Sequence, residues 1–407
     1  MASVLAFRDY RLLLSGSLFS YSSQWVQQAA LGWVVYEITG SGALLGLILG
    51  VRAIPMLMFV PISGVLADRM DRKKLLLFSQ GLAMLAAVAF GAALALQLTS
   101  TWMLFAFTLL MGVSNVFDRP ARLTTIFELV PRDLAMRAVA LNSMGFSMTR
   151  ILGPACAGYL IAWFGAAGTF FVQGTLYLIA GGLAAMVVFP ARKAPKPDVS
   201  AWQDLREGLR YIATDRTTRA IVVMGVFPFF MLVPVWGTML PIMAKDVYDA
   251  GPQGLGIMLT GVGLGGTVGG LISHRLGRYE HQGRVQFIAA FTLCAAIAGL
   301  ALAPNFTMAV VFAAIGGGAE MVHTTSNMSM LQMSAPEHLR GRVSSMIQLY
   351  PTFISLGTLM AGVLAEFLGV RWALGTLAVT ATVLGIALFY ASPRLRRLRL
   401  SQFRNAG

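Results

Sequence analysis

Acidic residues are scarce in this chain. Only 17 Asp and Glu stand against 31 Lys and Arg in 407 residues, and charge of both signs makes up 12%. A soluble domain carries roughly a quarter, so water is not the main solvent here. Cysteine is rarer still: Cys156 and Cys294 fall inside apolar runs, where they read as small packing residues and not as a disulfide or a thiolate metal site. The 4 histidines form no H-E-x-x-H pair, and no G-x-x-x-x-G-K-[ST] loop is present to power a pump with ATP. No cofactor is expected. Despite a net charge of +14, nucleic acid is not expected as a partner, because no soluble segment is long enough to gather basic residues on a water-exposed face.

What the chain has in abundance is apolar sequence: 57% hydrophobic residues and a mean hydropathy of +0.72. Runs long enough for a ~30 Å hydrocarbon core lie at about 12–37, 43–67, 75–97, 101–121, 138–164, 168–189, 218–244, 253–274, 285–303, 306–331, 343–366 and 370–391. That predicts twelve transmembrane helices. The first run is too long for a cleaved signal and no cleavage site follows it, so it is expected to remain.

The basic residues alternate in register with these runs. Of the 31 Lys and Arg, 27 fall on one side, including the segment Arg69–Lys74, the middle linker and the tail. The other side holds Lys245 and Arg371, while Arg52 and Arg150 lie within spans. The positive-inside rule then makes both termini cytoplasmic, as an even number of spans requires. The expectation is a multi-pass protein of the bacterial cytoplasmic (inner) membrane, its basic tail drawn to anionic headgroups by ~1 kcal/mol per charge.

Four segments organise the chain: a first six-helix bundle at 1–190, a cytoplasmic linker at 191–217, a second six-helix bundle at 218–392 and a basic tail at 393–407. In the linker, Trp202, Leu205, Leu209 and Ile212 recur at helical spacing and predict a short amphipathic helix on the membrane face. The halves repeat one another. "GVLADRMDR" (64–72) matches "GLISHRLGR" (270–278), "VPRDLAMRAVA" (130–140) matches "APEHLRGRVSS" (335–345), and "AGYLIAWFG" (157–165) matches "AGVLAEFLG" (361–369), at offsets of 206, 205 and 204. Near-equal offsets argue duplication. The fold class read from this is an all-α integral membrane protein, two six-helix bundles related by pseudo-two-fold symmetry, with substrate handled near the bilayer midplane.

The stretch "GVLADRMDRKK" (64–74) resembles the loop signature of the major facilitator superfamily, G-x-L-A-D-R-x-G-R-K-[KR], with Asp71 where the pattern has Gly. Together with "WVVYEITGSG" (33–42) and "RILGPACAG" (150–158), it is similar to the branch containing enterobactin exporters and macrolide efflux proteins. The resemblance implies a conformational latch in which Gly64 and Asp68 end helix 2. The Asp68 carboxylate would lie against the N-terminal dipole of helix 11, tied to basic residues among Arg69, Arg72 and Arg122. The second copy has His274 in place of the acid, so the latch would be asymmetric. The implied function is a secondary active transporter working by alternating access. The expected activity is proton-coupled efflux of an amphipathic small molecule, drug or siderophore-like, by a monomer. An importer or facilitator of a metabolite is the rival, and a non-transporting scaffold or intramembrane enzyme a more distant one.

Ionisable groups within spans are costly and therefore informative. Asp118 and Arg150 stand equally far from the centre of the loop joining helices 4 and 5, which predicts a buried ion pair, either a gating element or a bundle staple. Arg52 is a candidate contact for an anionic substrate group or a structural lining residue. On helix 1, Ser17, Ser20, Gln24, Gln27 and Gln28 form a polar stripe that predicts a cavity wall, with interhelical hydrogen bonding as the alternative. On helix 7, Phe230 and Trp236 among prolines suit an apolar or aromatic ligand, or ordinary packing. On helix 10, Glu320, His323 and Asn327 share one face at i, i+3 and i+7. Glu320 is expected to carry the coupling proton or a cationic substrate, with His323 as its tuning partner, unless the acid is a packing device. The G-x-G-x-x-G letters in "GVGLGGTVGG" (261–270) lack the strand-turn-helix setting of a dinucleotide site and are assigned to close helix packing.

Overall fold

The computed structural model describes residues 4–59, 71–189, 201–277, 279–334 and 350–396, and these contain helix without any strand. Before the linker the described residues include α1 (Arg8–Thr39), α2 (Gly42–Gly50), further helix at 53–59, α3 (Arg72–Ala95), α4 (Thr101–Leu129) and α5 (Arg132–Ala185). The linker region holds α6 (Ala201–Thr214). Then come α7 (Arg216–Met231), α8 (Val235–Ile242), α9 (Gly251–Leu276), α10 (Gln282–Leu302), α11 (Phe306–Ser334), α12 (Tyr350–Leu368) and α13 (Val370–Ala391).

Ten stretches among the described residues are long and apolar enough to cross a membrane. They omit α1, whose serines and glutamines dilute its apolar character, and they count α5 once although it breaks in the middle. The break is Gly165, at φ 69° and ψ 178°. Gly369, between α12 and α13, repeats it at φ 79° and ψ 153°. A β-carbon at either glycine would meet nothing within 4 Å, so the left-handed φ, not lack of room, demands glycine. Both close the repeated segments 157–165 and 361–369, so the duplication preserved the turn itself.

Cap residues set other helix starts. The Asp71 side chain accepts from Lys73 N at 2.9 Å and so opens α3; Asp215 accepts from Thr218 N at 2.6 Å and opens α7. Each satisfies a backbone donor that the first helical turn leaves unpaired. Between α7 and α8 the helix gives way at residues 232–234, where Pro234 lacks the N–H that a continuous helix would use.

The chain divides into two compact units, one comprising Met1–Val35 and Val51–Ala201, the other Tyr36–Gly50 and Trp202–Gly407. In the first, Tyr10, Leu13, Leu76, Phe117, Ile126, Leu134 and Ala138 form a buried core drawn from α1, α3, α4 and α5. The Tyr10 hydroxyl donates to Ala138 O at 2.8 Å. α1 approaches α5 closely because Gly145 and Gly153 carry no side chain: a β-carbon on either would collide with Leu18 or Trp25.

In the second unit, Gly265 and Gly269 of α9 lie against the backbone of Ala314 and Gly318 in α11, and Gly317 against Val262. The glycine-rich run therefore serves helix contact. α2 packs on α12 the same way through Gly42, Gly46 and Gly362, and Thr358 Oγ1 donates to Gly46 O at 3.1 Å. The Glu366 carboxylate receives Ser41 Oγ at 3.0 Å and Ala43 N at 3.3 Å at the start of α2, a position that the helix dipole favours for an anion. The expected linker helix is present as α6. Its Arg206, Glu207 and Arg210 are exposed, and Tyr211 donates to Ser334 O at 3.2 Å. The Trp202, Leu205 and Leu209 side chains lie outside the described residues.

Candidate functional site

Buried charge concentrates in the first unit around Asp118, which is 2% exposed, and Arg122, 4% exposed. Arg122 Nε lies 3.1 Å from Asp118 Oδ2 and Nη2 lies 2.6 Å from Oδ1. Gln80 Nε2 from α3 donates to Oδ1 at 2.6 Å, and Ser79 Oγ stands 3.5 Å from the same oxygen. Arg122 Nη1 reaches α1 at Ser17 Oγ, 2.9 Å away, and Gln80 also approaches Ser20 Oγ at 3.3 Å. One ion pair thus ties α1, α3 and α4 together, with its remaining lone pairs and protons largely satisfied, the condition for tolerating buried charge.

This corrects the pairing expected from the loop symmetry. The ion pair of Asp118 is with Arg122, four residues along the same helix, and the expected Asp118 to Arg150 bridge is not the arrangement found. Helical spacing brings i and i+4 together without help from a neighbouring helix, which equal depth on two helices does not. Arg150 instead places its guanidinium over the Trp25 ring, 5.8 Å from the centroid. Arg52 is half-buried, and its stem packs near Gly112 of α4, where a β-carbon would come within 3.6 Å of Arg52 Cγ.

The polar stripe of helix 1 divides. Gln27 is buried, 1% exposed, whereas Gln24 and Gln28 are half-buried. Ser17 and Ser20 are buried and turned to interhelical hydrogen bonding at the charge pair. Beside them stands Tyr21, to which the sequence had assigned no role. Gln80 was missed too; a Ser-Gln pair inside the apolar run of α3 was its signal, since such groups seek partners in a bundle.

In the second unit the structure joins two residues that sequence treated separately. Trp236 Nε1 donates to Glu320 Oε2 at 2.8 Å. Gly316 permits it, because a β-carbon there would lie 2.6 Å from Trp236 Cη2. Glu320 is half-buried and Trp236 buried. The expected partnership of Glu320 with His323 is not formed: His323, 1% exposed, turns its Nδ1 to Gln286 O of α10 at 3.2 Å. Asn327 is fully buried, donating to Ile221 O at 2.8 Å and accepting from Tyr350 Oη at 2.8 Å. Both therefore pack α11 against its neighbours, and Glu320 alone of the three is left half-open. Phe230 is half-buried, with its carbonyl close to Gly357 of α12.

Of the latch residues, Gly64, Asp68 and Arg69 lie outside the described residues. Arg72 pairs with Glu128 of α4, and Arg122 is committed to Asp118 and Ser17.

Comparison with known proteins covers nearly the whole chain. A family model described as transmembrane secretion effector matches residues 2–402. The staphyloferrin A transporter of Staphylococcus aureus is 24% identical over 398 residues, covering 96% of this chain and 98% of that protein. Macrolide efflux protein A of Streptococcus pyogenes is 24% identical, covering 90% and 92%, and the enterobactin exporter EntS of Shigella boydii is 24% identical, covering 90% and 87%. Among solved structures, a bacterial homologue of the human lysosomal transporter Spinster, in an inward-facing and unoccupied conformation, aligns with a TM-score of 0.77 at 15% identity, over 97% of this chain and 98% of the other. The nucleoside transporter NupG aligns with a TM-score of 0.73 at 15% identity, over 94% and 98%. At these identities the structural likeness speaks to fold alone.

Proposed function

The chain belongs to the transmembrane secretion effector family of the major facilitator superfamily, and from that premise we propose that it couples proton entry to export of an amphipathic small molecule. It is a multi-pass membrane transporter and not an enzyme. The proposal adds direction, coupling ion and placement: a monomer in the bacterial cytoplasmic membrane, both termini inside, its basic tail on anionic headgroups, alternating access with Asp68 as latch. Drug and siderophore exporters among the relatives support efflux.

One observation carries the coupling. Glu320 stands at the centre of α11 (Phe306–Ser334), about 21 Å of helix from either end at ~1.5 Å per residue. It is a half-buried carboxylate oriented by the Trp236 indole. A carboxylate at that depth is expensive and tends to be retained for function. Reversible protonation gives it one. When neutral it crosses the low-dielectric stage cheaply, and when charged it holds the Trp236 N–H.

The test is Glu320→Gln, which keeps shape and cannot titrate, in vesicles with a labelled macrolide or siderophore that wild type moves. Loss of proton-driven transport with survival of downhill exchange is the expected result. Proton-driven transport at the wild-type rate overturns the assignment.

A further inference from the structure

Each unit carries a buried polar node at a matching place in the repeat, built from different chemistry. Gln80, Asp118 and Arg122 of the first unit correspond to Gln286, His323 and Asn327 of the second at offsets of 206, 205 and 205, the spacing of the repeated segments themselves. The bonding follows the correspondence. Arg122 reaches α1 at Ser17 Oγ, and Asn327 reaches α7 at Ile221 O. Gln80 meets Asp118 across α3 and α4, and the carbonyl of Gln286 meets His323 across α10 and α11.

The two nodes differ in how far they are satisfied. The Asp118 carboxylate is filled by Arg122 and Gln80. In the second unit Gln286 is 0% exposed and His323 1%, yet Gln286 Nε2, Gln286 Oε1 and His323 Nε2 have no hydrogen-bond partner among the described residues. The apolar cluster beside them, Val285, Ala289 and Val322, has no side-chain group to offer. We infer that the second unit binds water at this node, bridging His323 Nε2 and the Gln286 carboxamide, at the place that the first unit fills with the Asp118 carboxylate.

The donor and acceptor count selects water. His323 Nδ1 lies 3.2 Å from Gln286 O; a carbonyl only accepts, so Nδ1 carries the ring proton and a neutral ring presents Nε2 as a lone pair. The Met224 carbonyl also approaches the ring from α7, but a second acceptor cannot fill a lone pair. A water can donate to Nε2 and to Met224 O while accepting from Gln286 Nε2, the roughly three bonds usual for an internal water. Left dry, the same buried atoms would each carry the cost of desolvation without a partner. The tie between α10 and α11 is then mediated by water, where the tie between α3 and α4 is made by an enclosed ion pair. A hydrated proton acceptor thus stands one turn of α11 from Glu320.

The experiment uses the full-length protein in lipid nanodiscs with 15N-labelled histidine, and His323→Gln identifies the His323 signals among the 4 histidines. Wild type is expected to show a neutral ring protonated at Nδ1 at neutral pH, with a cross-peak between the ring and a slowly exchanging water. Gln286→Met keeps the length of the side chain and removes the carboxamide; it is expected to lose that cross-peak and to unfold about 2–4 °C lower. A dry node predicts the opposite, because deleting unpaired polar atoms relieves their cost, so an unfolding temperature equal to or above that of wild type overturns the inference. An imidazolium in wild type, donating to both carbonyls, overturns it as well, as does a ring without a water contact. Should Gln286→Met fail to fold, the wild-type spectra decide. No proton gradient or substrate enters these measurements, so the coupling role of Glu320 stands or falls separately.

Discussion

Arg122 grips both carboxylate oxygens of Asp118 from one turn further along α4, at 3.1 and 2.6 Å, inside a shell of Gln80 and Ser17. The pair forms as soon as the helix does, and tertiary packing then supplies its hydrogen-bonding shell. A pair so enclosed is costly to break from one side, because the survivor is left charged and buried.

Asp118→Asn and Arg122→Gln should therefore each lower stability by about 3–5 kcal/mol, while the double variant costs at least about 1 kcal/mol less than their sum. Thermal unfolding in detergent provides the cycle. Strict additivity would mean that Gln80 and Ser17, and not the ion pair, hold the two side chains.

Gly46→Ala and Gly165→Ala should differ sharply. At Gly46 a β-carbon would stand 2.9 Å from Gly362 Cα and 3.1 Å from Thr358 C, both backbone atoms that cannot yield, so α2 must leave α12 and the yield of folded protein should collapse. At Gly165 there is space, and only the φ of 69° is unfavourable, at about 1–2 kcal/mol. Size-exclusion profiles and unfolding temperatures rank the two, and the reverse order would contradict the packing.

Trp236→Phe keeps the ring and removes the donor to Glu320. Gly316→Ala pushes on the same indole, whose Cη2 would be 2.6 Å from the new methyl. Both should slow proton-driven transport several-fold with downhill exchange retained. If either matches wild type, the indole N–H does not orient the carboxylate for coupling.

On the proposed latch role, Asp68→Asn, in the loop signature, should slow transport with near-normal expression. Rates in vesicles at matched protein content check this; a wild-type rate would assign the motif's acid to something other than gating.

Within the linear chain, solvent and architecture were already settled. A scarcity of charge, long apolar runs and a repeat at near-constant offset leave a helical membrane bundle as the one economical way to satisfy the backbone in lipid. The breaks between the runs 138–164 and 168–189 and between 343–366 and 370–391 were legible as well, whereas the left-handed φ of Gly165 and Gly369 within them was seen only in the structure. The importance of Asp118 and Glu320 could also be read directly, since a carboxylate within a span must find a use or a partner.

What the sequence left open was which partner each would find. Equal depth on adjacent helices suggested Arg150 for Asp118, yet Gly145 and Gly153 seat α5 against Leu18 and Trp25, Arg150 lies over the Trp25 ring, and Asp118 pairs with Arg122 on its own helix. Shared helical phase suggested His323 for Glu320. Neighbours on three sides instead drew His323 to Gln286, Asn327 to Ile221 and Tyr350, and Glu320 to Trp236. Spacing along a helix determines which side chains share a face; the packing of other helices against that face decides what each one touches.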